Sequence, residues 1–166
     1  MIGHYHGSRW TLAPSPTDAT ESLDPLGIDA QPGALTIVGQ RESDTVPNTT
    51  LVASGTPPRV SLRTTPNIGA GENDLFSATQ TADGSEWAAG WYIDPNNSEN
   101  HEPLVEHRVN GTWQTDQSVD TNSFTSDGGD NGFASIAAIP GGGLWAVGLQ
   151  TIATTGATQT LIEHRN

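Results

Sequence analysis

Three stretches of this chain are versions of one another. "ALTIVGQ" (34–40), "GSEWAAGWYI" (84–93) and "GGLWAVGLQ" (142–150) align on Gly39, Gly90 and Gly148, spaced by 51 and 58 residues. A second line follows each: "TLVASGTPPRV" (50–60), "PLVEHRVNGTW" (103–113) and "TLIEHRN" (160–166). A third precedes each: "LGIDAQP" (26–32), "LFSATQT" (75–81) and "FASIAAIP" (133–140). The period is near 55 residues, and drift in it falls between the aligned lines. Self-similarity at this length marks repeat architectures, in which one supersecondary unit buries its faces against its neighbours.

Each period reads as four short strands. The first is a run of small residues such as Ser135-Ile136-Ala137-Ala138, suited to a crowded inner strand. A tight turn follows, and the Asp83-Gly84 pair within one of these turns is a hairpin signal, since both residues tolerate positive φ. The second strand, "LWAVG", is nearly continuous in apolar residues, as expected where both faces are covered. After a variable loop comes "LVEH" or "LIEH", then an Asn-Gly turn into "TWQTDQSV". No segment carries helical periodicity with caps. The chain is therefore expected to be all-β, and four-stranded antiparallel units repeated radially make a β-propeller.

"LWAVG", a loop, "TLIEHRN" and "NGTW" after the equivalent strand together resemble the kelch-like propeller repeats of bacterial surface and secreted proteins. Their usual form is a Trp-Ala-Val-Gly strand, a Leu-Ile-Glu-His strand and a Gly-Thr-Trp turn. The first unit departs from this form. It has Thr36 where Trp87 and Trp145 stand, Val60 where Trp113 and Trp10 stand, and Ala53-Ser54 in place of Glu-His. The resemblance implies the fold and an extracellular or cell-surface setting. It implies no activity, because one fold hosts many functions.

Strand counting divides the chain into four parts: 1–16, with a last-strand segment "SRWTLAPS" (8–15); 17–66, a degenerate blade; 67–119, a blade; and 120–166, a blade lacking its last strand. Residues 1–6 duplicate the strand at 161–166 and count as surplus. Three blades are too few for the usual ring of four to eight. The expectation is a six-bladed homodimer in which each copy lends its N-terminal strand to the other's last blade, ahead of an excised half of a longer propeller.

Charge and composition exclude several functions. Six Arg and no Lys against 19 acidic residues give a net charge of −13, which disfavours nucleic acid and anionic membranes alike. There are no cysteines, hence no disulfides or thiolate metal sites. No run of apolar residues is long enough for a membrane-spanning helix.

Residues that recur once per blade read as structural: the tryptophans Trp10, Trp87, Trp113 and Trp145 as packing between blades, and His107 and His164, inside the Glu-His-Arg repeats, as hydrogen-bonding or cross-strand partners. Residues that do not recur are the candidates for binding. Trp91 and Tyr92 form a candidate sugar-stacking platform, with Asp94 and Glu102 as nearby acids. Asp127 and Asp130 in "DGGDNG" offer at most an adventitious calcium ion, since the spacing does not match a dedicated calcium loop. His4 and His6 share one strand face but have no nearby carboxylate in sequence. "TADGSEW" (81–87) lacks a glycine needed for the aspartate box of sialidase-like propellers. No catalytic motif and no cofactor are expected. The leading expectation is a non-enzymatic binding or scaffold protein that meets protein or glycan ligands through its loops; the alternative is a glycan-binding or glycan-active propeller.

Overall fold

Glycine-bearing turns and runs of β-forming residues alternate along the chain, and the strands fall where that alternation puts them. The computed structural model describes residues 1–93, 100–116, 130–152 and 154–166, and among these residues there are strands, turns and bends but no helix. The chain is all-β, with antiparallel pairing throughout. β1 (Ile2–His6) and β2 (Arg9–Ala13) form an N-terminal hairpin. β3 (Ser22–Gln31), β4 (Ala34–Glu42), β5 (Thr49–Thr56) and β6 (Arg59–Arg63) make a first sheet in chain order. β7 (Asn73–Gln80), β8 (Glu86–Ile93), β9 (His101–Val109) and β10 (Thr112–Thr115) make a second. β11 (Asn131–Ala138), β12 (Leu144–Ile152) and β13 (Ala157–Arg165) make a third, three-stranded sheet.

The recurrent glycines have a common steric cause. The first strand of each sheet bulges at the same place, at Leu26, Phe76 and Ala134. Just before each bulge, Pro25, Leu75 and Phe133 lie opposite Gly39, Gly90 and Gly148. A Cβ on any of these glycines would overlap a carbonyl oxygen, of Asp24, Asp74 or Gly132 respectively. Close backbone approach at a bulge requires glycine. The Asn110-Gly111 turn between β9 and β10 has both residues at positive φ, 51° and 85°, as a two-residue hairpin demands.

The sheets stack in series. β7 lies across β3, β4 and β5, and β11 lies across β7, β8 and β9. At the first junction Leu75 and Ala78 pack with Val38 and Val52. At the second, Phe133 and Ile136 pack with Trp87, Ala89 and Val105. Burial of a side chain such as Phe133 contributes about 1.5–3 kcal/mol. Each sheet thus inserts its first strand onto the second and third strands of the sheet before it. One polar contact also bridges the first junction: the Thr36 hydroxyl donates to Glu86 Oε1 at 2.7 Å, while Arg108, in the same sheet as Glu86, holds its Oε2 at 2.6 Å. At the second, the Arg165 guanidinium lies 4.6 Å over the Trp87 ring and pairs with Asp116.

Three sequence expectations are corrected. The second strand of each unit was expected to be covered on both faces. That holds for β8, which is buried from Glu86 to Gly90, but β12 is covered on one face only. The recurrent tryptophans do not all pack between sheets: Trp87 and Trp113 are buried, whereas Trp145 is 47% exposed and Trp10 68%. Neither exposed ring has a sheet lying over it. Residues 1–6 are not surplus, since Ile2–His6 pairs with β2 and sets Tyr5 opposite Trp10. The three sheets form no closed ring.

Candidate functional site

Strand alternation decides which side chains meet at the end of the sheets where β9 and β11 begin. On β8, Trp87, Ala89 and Trp91 point toward the third sheet. Trp91 leans on Gly132, where an added Cβ would come within 3.1 Å of its own Cβ. Phe76, the bulge residue of β7, stands with its ring centroid 6.1 Å away, tilted 43°. His101, the first residue of β9, meets the indole edge-on at 4.0 Å.

Asp130, just before β11, fixes His101 twice. Its Oδ1 accepts from the His101 backbone N–H at 3.1 Å and contacts Nδ1 at 3.0 Å. Its own carbonyl accepts from the Thr151 N–H at 2.7 Å, which ties the segment to β12. The His101 backbone hydrogen bond, with the side-chain contact behind it, holds the Asp130 carboxyl below the usual carboxylate range. A carboxylate on Nδ1 orients the ring and leaves Nε2 for another partner.

These residues line a cleft of about 560 Å³, whose floor includes Leu26, Phe133 and the buried Asn131. That size suits a small ligand, and the combination of aromatic walls with a few fixed polar groups is what such sites use. Behind it sits Asp74, 3% exposed and opposite Trp91 in register. Burial, reinforced by the charges of Glu72, Glu42 and Asp24, lifts its pKa to about 6, against the opposing pull of His101. Asn73 holds the preceding loop, accepting from the Ile68 N–H at 2.8 Å and donating to the Gly71 carbonyl at 2.9 Å.

The sequence candidates scatter. Trp91 and Asp130 meet in the cleft. Tyr92 points the other way, against the core of the first two sheets, opposite the buried Glu102. The Trp91–Tyr92 platform is therefore corrected: adjacent strand residues face opposite sides, and this period was legible in the sequence. Asp94 and Asp127 lie outside the described residues. Among the described residues, no group of three His, Asp or Glu side chains could hold a metal ion. His4 and His6 stack on the outer hairpin, centroids 6.1 Å apart. His107 stacks on Trp87 at 4.7 Å and His164 lies against Trp145 at 4.5 Å, tilted 33°, one cross-strand pair used twice. Sequence reasoning missed His101 and Phe76. The signal for His101 was its absence from the repeat; for Phe76 it was a large aromatic at the bulge position that Leu26 and Ala134 occupy elsewhere.

No protein-family model matches the chain, and no curated protein matches it. The class defined by fold and site is a serial stack of antiparallel sheets with a small aromatic cleft at one end.

Proposed function

We propose that this chain is β-propeller material of the kelch-like kind, acting as a non-enzymatic binding module outside the cell or at its surface. Three blades come from each copy, and two copies make a six-bladed homodimer in which β2 of one lies along the free edge of β13 in the other. The observation that carries the binding role is the cleft in which Trp91 and Phe76 stand beside the fixed His101–Asp130 pair. A ligand with an apolar ring face and hydroxyls on its rim fits this chemistry, so the proposed ligand class is a sugar residue of a glycan. A glycan-cleaving role would need two carboxylates flanking one bond. Among the described lining residues, Asp130 alone supplies one.

The test is calorimetric titration with a panel of oligosaccharides. Trp91→Ala should weaken binding roughly tenfold or more, about 1.4 kcal/mol. Asp130→Asn, which leaves the aromatic wall standing, should weaken it less. Absence of any glycan binding, or equal binding by Trp91→Ala, would overturn the reading.

A further inference from the structure

Each sheet has two unlike faces, and the molecule uses them in order. One face carries projecting side chains from the first strand, just before and after the bulge: Leu75 and Ala78 in the second sheet, Phe133 and Ile136 in the third. The other is a shallow apolar seat on the second and third strands. Val38 and Val52 form it in the first sheet, and Ala89 and Val105 in the second. All eight residues are 8% exposed or less. One face of each kind is left over. Register places Pro25 and Ile28 of the first sheet where the projecting residues stand, yet both are exposed, Ile28 by 62%. Register places Val147 and Ile162 of the third sheet where the seat stands, yet they are 40% and 57% exposed.

We propose that the seat on the third sheet receives the projecting face of the first sheet of a second copy of this chain. Three observations select that occupant. The leftover faces are the two halves of a junction the chain already makes twice. The hydroxyl of Ser77 accepts from the Ile136 N–H at 3.2 Å across the second junction, and the exposed Ser135 holds the equivalent position on the third sheet, ready for the N–H of Ile28. The first-sheet face also frames a cavity of about 500 Å³ with no charged side chain in its lining, in a chain with 19 acidic residues. Such an apolar surface marks an interface core. Met1 and Ile2 of the N-terminal hairpin also line this cavity. The contact is head-to-tail, so it closes into a ring of two or runs on as an open series. It rests on the propeller reading above and is independent of the cleft.

Sedimentation of the intact chain at ~100 µM, in about 1 M salt to screen the −13 charge on each copy, reads the assembly. A dimer or a longer head-to-tail series is expected. Val147→Asp and Ile28→Asp, both at exposed sites, should fold normally by circular dichroism and raise the dissociation constant roughly 30-fold or more. Mixing the two variants should restore association, because one intact junction remains between them. An intact chain that stays monomeric overturns the proposal. So does a mixture that fails to associate, which would mean like faces pair. Dimers that survive both substitutions but vanish on deleting residues 1–16 would show strand exchange without face docking. That too overturns the proposal, while leaving the cleft to stand or fall on Trp91→Ala.

Discussion

Trp87 and Trp145 occupy the same place in two sheets. Each sits on the second strand, each lies against a histidine ring of the third strand, and each precedes an alanine that points to the opposite face. Trp87 is 8% exposed and Trp145 47%. The difference lies in the neighbour: the third sheet covers Trp87 with Phe133, Ile136 and the Arg165 guanidinium, and no sheet covers Trp145. A repeat therefore specifies local geometry, while burial belongs to the pair of repeats. Trp87→Ala should cost about 3–5 kcal/mol, the loss of a large buried aromatic plus the cavity it leaves. Trp145→Ala should cost under about 1 kcal/mol where the chain is monomeric. Urea denaturation of both at low concentration checks this, and equal midpoints would break the comparison. If a second copy covers Trp145, its cost should rise with protein concentration.

Glycine sharpens the same point from the other side. Gly90 and Gly148 lie in the same two sheets and face the same obstacle, a carbonyl of their own first strand. This constraint is internal to each sheet, so a neighbour should not matter. Gly90→Ala and Gly148→Ala should both destabilise, by about 1–3 kcal/mol, through forced backbone shifts. A large cost at Gly90 with none at Gly148 would show that the bulge is held by packing between sheets rather than by pairing within one.

The division between what repeats and what does not also explains what the sequence revealed. Strand positions were legible because glycine, turn and apolar run recur three times, and even the first unit, with Thr36 for tryptophan, forms a full four-stranded sheet. Thr36 keeps a junction role by donating to Glu86. The exposure of Trp145 was illegible, because nothing in "LWAVG" records whether another sheet follows. Half of the cleft was illegible for a different reason. His101 and Asp130 are 29 residues apart and meet only because β9 and β11 begin at the same end of the stack. Pattern reading along one strand cannot see such a pair.

The two junctions differ in one further respect, and pH should expose it. On β9, Glu106 shares a face with Leu104 and lies against the first junction, where it is completely buried. Among the described residues neither carboxylate oxygen has a partner in good hydrogen-bond geometry; the Thr50 hydroxyl lies near enough to oppose the shift but donates to Thr65 at 2.8 Å. Burial outweighs the slight opposing effect of Thr50 and raises the carboxyl from its ordinary 4.5 to about 8. Between those values the folded chain keeps a proton that the unfolded chain has lost. Stability from this group is thus complete below about pH 4.5 and declines as pH rises toward 8, by up to about 1.4 kcal/mol per pH unit. Asp74, with a pKa raised to about 6, adds a decline of the same sign at lower pH. His107, lowered from 6.5 by burial and by Arg165, works in the opposite direction below that value. The window from about pH 6.5 to 8 therefore isolates Glu106 from both. Across it the chain should lose stability in denaturant titrations, and Glu106→Gln should abolish the slope, since the amide cannot ionise. A flat profile in the unmodified chain, or a slope that persists in Glu106→Gln, would mean that the first junction admits enough water to let this carboxylate ionise in place.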